Sequence, residues 1–191
     1  AQAAQIVLLD SDFSRMPEIV LEGRRVVNNV QRSASLFLVK NLFSLLLTIF
    51  STVLMISYPL MPSQVSLISM FTIGIPGFLL ALEPNKSRIK GHFLGNVLLK
   101  ALPAGLTDFF AVSALVICGH VFNIPSTDIA TASTLLIAVV GFMIMIKISH
   151  PFNNFKYGIL ALNIFGLIFC GLFLDNLFAM SDMSNICILL T

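Results

Sequence analysis

Two polar patterns lie inside otherwise apolar stretches of this sequence. Asn41, Ser44, Thr48, Ser51 and Thr52 recur at spacings of three and four, which places them on one stripe of a helix. Ser66, Ser69 and Thr72 form a similar stripe and lead into Gly74-Ile75-Pro76. A proline inside a helix removes a backbone donor and clashes with the preceding turn, so a break is expected at Gly74 and Pro76. Carbonyls freed by such a break need a new partner, and in membrane transporters broken helices bind cations this way. Polar side chains are costly in hydrocarbon, so each stripe must face a partner helix or a wet cavity. Packing through Ser, Thr and Asn, with a packing kink at the proline, is the competing reading of both patterns.

Charged candidates are few. Asp108 is either a shallow interfacial carboxylate or a proton or cation site. Lys40 can snorkel to the membrane edge, and Glu83 reads as a boundary residue. Asn163 is expected to bond a neighbouring helix. His92, His120 and His150 are isolated and show no metal-ligand spacing. Cys118, Cys170 and Cys187 lie unpaired in apolar runs and read as small buried hydrophobes. No nucleophile-and-base arrangement and no phosphate-cradling glycine loop is present, so nothing here could hydrolyse ATP by itself.

The elements that must position these residues are membrane helices. Of 191 residues 57% are hydrophobic and only 10% charged, well outside the composition of soluble domains. The net charge of +2 gives no reason to expect a nucleic-acid partner; the lipid bilayer is the expected one. Apolar runs of spanning length cover Ala34–Ser57, Gln64–Leu82, Ala101–Phe122, Ala130–Ser149 and Tyr157–Leu174. Met183–Thr191 is apolar but short, and reads as a truncated sixth span. Residues 1–32 alone look soluble: Gln5–Leu9 as a short strand, Ser11 or Asp12 as a cap, and Pro17 in a first helical turn. The expected fold is therefore an all-α membrane bundle over residues 33–191, preceded by a short remnant of an α/β domain. The absence of an initiator Met and the short last run suggest a piece of a longer polypeptide.

If each run crosses once, all 11 basic residues fall on one side. The opposite loops, Tyr58–Ser63, Asn123–Ile129 and Asp175–Asp182, hold none. The positive-inside rule then predicts a multi-pass protein of the cell membrane with its N-terminus in the cytoplasm.

The stretch "AAQIVLLDSDFSRMPEIVLEGRRVVNNV" resembles the end of the phosphorylation domain of a P-type cation-transporting ATPase, running into its fifth membrane helix. The resemblance is carried by Ile6–Leu9, Asp10, Asp12, Phe13, Glu22-Gly23-Arg24 and Asn29. It extends to Asn41, where the family has an asparagine, and to Gly74 and Pro76, where it has Gly-x-Pro in helix six. It is close over residues 1–90; beyond that the spans match mainly in number and topology. The resemblance implies an ATP-driven pump in which a phosphorylated aspartate drives alternating access at a site between helices four, five, six and eight. The five runs here would be helices five to nine, and Met183–Thr191 the start of helix ten. Asn41, Ser44, Ser69 and Thr72 would help line the ion site, with Gly74 and Pro76 unwinding helix six beside it and Asp108 a further candidate.

Mg2+ and ATP would act in the full-length protein, on the missing N-terminal part of the polypeptide. The family's Asp-Lys-Thr-Gly and Thr-Gly-Asp-Gly motifs are absent here. So are two carboxylates of the familiar calcium pumps: Ser44 stands where they have Glu, and Ile73 where they have Asp. Asn41, Ser44, Ser69 and Thr72 supply oxygens without charge, whereas calcium takes six to eight oxygens, several usually charged. A bacterial subgroup is similar in its "FTIGIP" and "ALEPN" pieces, which makes calcium the first expected cargo. The alternatives are another cation such as magnesium, a monovalent or an organic cation, and a free-standing membrane protein without catalysis.

Overall fold

The computed structural model describes residues 12–83, 85–89, 91–181 and 183–191. The expected strand Gln5–Leu9 lies outside them. Asp12 caps a 3-10 turn, Phe13–Arg15, by accepting hydrogen bonds from the Ser14 amide (3.0 Å) and hydroxyl (2.7 Å). Those bonds favour the ionised carboxylate and hold it below its usual range.

Helix α1, Met16–Val53, begins with Pro17 in its first turn, where the missing N–H costs nothing. Its 38 residues make a rod of about 57 Å. A bilayer core is about 30 Å thick, so only the apolar C-terminal half of α1 can lie in hydrocarbon. Glu18, Glu22 and Arg24 sit on the half that projects; the Glu22 carboxylate pairs with Arg25 at 3.1 Å. One helix thus runs straight through residue 32, where the composition changes.

The second span is in three pieces: α2 (Pro62–Ser69), a π turn (Met70–Gly74) and α3 (Ile75–Leu82). Then come α4 (Phe93–Val121), α5 (Ser126–Ser149) and α6 (Asn154–Phe173). Two short helices close the chain, α7 (Asp175–Phe178) and α8 (Asn185–Leu190). Five helical stretches are long and apolar enough to cross a membrane, and no strand occurs among the described residues. The protein is an all-α membrane bundle.

Successive spans alternate in direction, so α1 and α4 run parallel and form the most extensive helix pair. Gly105 lets them close: a Cβ there would lie 2.9 Å from Leu42 Cδ2 and 3.2 Å from the Val39 carbonyl. Helix α5 is the most enclosed span. It joins the apolar cluster of Leu36, Val39, Ile73, Ala101, Ile144 and Ile148 near the basic end. Toward the other end, Phe43, Leu47, Leu60, Ile68, Val112 and Ile137 form a second cluster.

Both ends of the interrupted span are tied down. At the basic end, Arg32 donates to the Leu80 carbonyl (3.1 Å) and Asn29 to the Ala81 carbonyl (3.2 Å). These bonds satisfy carbonyls that the end of α3 leaves without helical donors. Glu83 is more than a boundary residue: it pairs with Lys156 on α6 at 3.2 Å. At the opposite end, buried Gln64 accepts from the Met61 amide (3.0 Å) and donates to the Ala179 carbonyl (2.9 Å). Asn163 departs from expectation. It donates to Ile159 of its own helix (2.7 Å) because its position, fully buried, puts that carbonyl nearest.

Candidate cation-binding cavity

A cavity of about 50 Å³ lies where α1, the π turn, α4 and α5 meet. Its polar lining comes from Ser44 on α1, Ser69 and Thr72 on the interrupted span, and Asp108 on α4. The rest is apolar apart from Lys40 and Tyr58, with Gly141 forming part of the α5 wall. That volume admits several water-sized groups, or a cation keeping part of its hydration shell.

The π turn explains how the interrupted span reaches this cavity. The Ile75 amide donates to the Met70 carbonyl, five residues back, which widens the helix by one residue. The sequence leads one to expect unwinding at Gly74 and Pro76. Instead the helix continues, with Pro76 the second residue of α3, directly after the π turn. The backbone consequence is the one that matters for binding. Pro76 has no N–H, so the Thr72 carbonyl, four residues earlier, receives no α-helical bond from it. Phe71, Thr72 and Ile73 are all buried, so the wider turn directs consecutive side chains into the protein.

The hydroxyls are oriented by their own backbone. Ser69 donates to the Val65 carbonyl (2.6 Å) and Thr72 to the Ile68 carbonyl (2.7 Å). With each proton directed back along the helix, the oxygen lone pairs are left for another partner. Asp108 supplies the charge. It is 2% exposed, and its Oδ1 has no hydrogen-bond partner. A buried carboxylate oxygen without a partner is expensive in a low dielectric, and a cation in the adjoining cavity would relieve that cost. Hydroxyl and carboxylate oxygens are hard donors, suited to calcium, magnesium or alkali cations. Among the described residues, no group of three His, Cys, Asp or Glu could hold a metal instead.

The remaining candidates lie elsewhere. Asn41 is exposed on the outer face of α1, and Gly74 is exposed on the π turn. Pro76 is buried but does not line the cavity. The α1 stripe is divided: Ser44 and Ser51 turn inward, while Asn41, Thr48 and Thr52 face out. Thr48 and Thr52 bond back to the Ser44 (2.7 Å) and Thr48 (2.8 Å) carbonyls. Two lining residues escape sequence reasoning: Lys40, which snorkelling would take to the membrane edge, and Gly141, which no spacing pattern marks.

In sequence the chain is similar to cation-transporting ATPases. The chain is 33% identical over 180 residues to a probable cation-transporting ATPase, exp7, of Streptococcus pneumoniae, covering 90% of this chain and 23% of that protein. It is 34% identical over 164 residues to the calcium-transporting ATPase CtpE of Mycolicibacterium smegmatis, covering 78% of this chain and 21% of that protein. A calcium-transporting ATPase of Bacillus subtilis is 27% identical over 82 residues, covering 43% of this chain and 9% of that protein. The chain thus spans less than a quarter of the length of the curated relatives named here. No family model matches it.

Proposed function

We propose, from the premise that this chain belongs to the P-type cation-transporting ATPases, that it is the C-terminal membrane part of such a pump and holds the transported cation in the cavity beside Asp108. Calcium is the first choice of cargo, since relatives matching most of this chain are named for it. The observation that carries the proposal is that Asp108, which has a buried oxygen without a hydrogen-bond partner, lines the same cavity as Ser44, Ser69 and Thr72.

Asp108 supplies charge, and the three hydroxyls supply neutral oxygens. The Thr72 carbonyl, denied a donor by Pro76, is a further oxygen at the same level of the membrane. Gly74 and Pro76 act by shaping the π turn. Asn41, on the outer face of α1, would face parts of the pump's membrane domain beyond this chain and not this cavity. Lys40 competes with the cargo for the cavity, so loading requires its ammonium to turn toward the basic end.

On this reading the basic end is cytoplasmic, and the N-terminal 32 residues close the pump's phosphorylation domain. ATP and Mg2+ do not fit the residues present. The Asp-Lys-Thr-Gly motif and a phosphate-binding loop are both missing, so no step of phosphoryl transfer is assigned to this chain. Its work is to hold the cation and to pass movement along α1, which joins the projecting half to the cavity wall in one rod.

The cavity lining also favours a second reading. Among the described lining residues the charged side chains are Asp108 and Lys40, so with Lys40 turned away one negative charge is left to face the cargo. A monovalent cation would need no further carboxylate, whereas calcium would take one from elsewhere in the pump. A survey of ATP-dependent phosphoenzyme formation, metal by metal, in the intact pump separates these. Under the proposal, Ser69→Ala and Thr72→Val raise the concentration needed of the stimulating cation and of no other solute. Unchanged cation dependence in the double variant would remove the cavity from the transport path.

A further inference from the structure

Two glycines on neighbouring helices receive consecutive side chains of the π turn. A Cβ at Gly141 of α5 would lie 2.7 Å from Thr72 Cγ2 and 3.0 Å from Thr72 Cβ. A Cβ at Gly166 of α6 would overlap the edge of the Phe71 ring. Rotation gives Thr72 no ready escape, because its hydroxyl is bonded to the Ile68 carbonyl and that bond holds Cγ2 against Gly141. Phe71 is likewise fixed, packed with Leu67, Ala138 and Leu167. The span is anchored beyond the turn at both ends, by Gln64 on one side and by Arg32, Asn29 and the Glu83–Lys156 pair on the other. Its middle is therefore located by what it leans on, and it leans on two places where a side chain is missing.

We infer that Gly141 and Gly166 are positioning residues for the cation site: their bare surfaces seat Thr72 and Phe71 and so set the depth at which the π turn's oxygens enter the cavity. The inference rests on the cavity being the cation site. Gly141 is the more direct of the two, since it lines the cavity itself. A methyl group added there pushes the Thr72 hydroxyl away from α5, altering the ligand distances while leaving every ligand present. Cation selectivity should then change, because small and large cations demand different ligand distances and rigidity.

The test uses the intact pump and reads the half-saturating Ca2+ and Mg2+ concentrations for phosphoenzyme formation. Gly141→Ala should raise that for Ca2+ by about tenfold, the scale on which overpacking a close-packed site is felt. Thr72→Ser removes Cγ2 but keeps the hydroxyl. Gly141→Ala combined with Thr72→Ser should therefore return to within about threefold of Thr72→Ser alone, a coupling expected of side chains in contact. Gly166→Ala with Phe71→Leu should show the same relief. A Gly141→Ala pump that binds Ca2+ normally would overturn the inference, as would a double variant no better than Gly141→Ala. If Gly141→Ala fails to reach the membrane, recovery of the folded pump by Thr72→Ser supports the contact, and no recovery overturns it. Asp108→Asn separates the two levels of the proposal. A shift with Asp108→Asn but none with Gly141→Ala refutes the seating alone; no shift with Asp108→Asn refutes the cation site beneath it.

Discussion

The α1 span and the interrupted span carry similar hydroxyl patterns, yet they use them differently. On α1 the stripe straddles the edge of the packed face: Ser44 reaches the cavity, while Asn41, Thr48 and Thr52 stay on the outer surface. On the interrupted span Ser66 is exposed, but Ser69 and Thr72 both reach the cavity, the latter 3% exposed. The difference lies in the backbone. An unbroken helix holds its stripe at one angle throughout, whereas a π turn rotates the helix beyond it and brings adjacent residues into the interior together. Periodicity thus identifies a polar stripe, but the helix defect and the neighbouring glycines decide which part of it meets the cavity.

That contrast can be broken most forcefully at Asp108, which serves both spans. Asp108→Asn should weaken cation binding by about a hundredfold or more, because a charged ligand in a low dielectric is lost. Equilibrium cation binding to the intact pump reads this directly. Next comes Thr72→Val, for which a loss of about tenfold is expected, the value of a neutral oxygen facing a charge. The counterpart on the outer edge of α1, Thr48→Val with Thr52→Val, should move the same affinity by less than about twofold, since both hydroxyls bond only their own helix. An equal effect from the two spans would erase the distinction between them.

The anchors of the interrupted span give smaller effects. Lys156→Met leaves Glu83 with its hydrogen bond from Asn153 but without its ion-pair partner at a half-buried boundary. The thermal midpoint of the detergent-solubilised pump should fall, by an amount corresponding to about 1–3 kcal/mol. Smallest is Asp12→Ala. It removes the cap of the turn before α1 and should raise amide exchange in that first turn without altering cation affinity.

Much of this is legible in the sequence. Five spans follow from apolar length, because hydrocarbon thickness fixes how long a helix must be. Gly74 and Pro76 mark the defect, because proline cannot continue a helix normally. The kind of defect is not legible. Whether a proline unwinds a helix or is absorbed after a π turn depends on the packing of Phe71 and Thr72, which involves α5 and α6, far along the chain. Asp108 leaves two readings open for a similar reason. Its depth along α4 depends on how far that helix slides against α1, and the close approach at Gly105 sets this. Residue type alone sends Asn163 across to a neighbouring helix, but local geometry offers it Ile159 first.

The central claim is that the cavity beside Asp108 binds the transported cation. Equilibrium binding of radioactive Ca2+ to the intact pump, compared between the native protein and Asp108→Asn at equal amounts of folded pump, tests it most directly. The account predicts saturable binding by the native pump and its loss at the same Ca2+ concentration in Asp108→Asn. Undiminished Ca2+ binding by Asp108→Asn would contradict it.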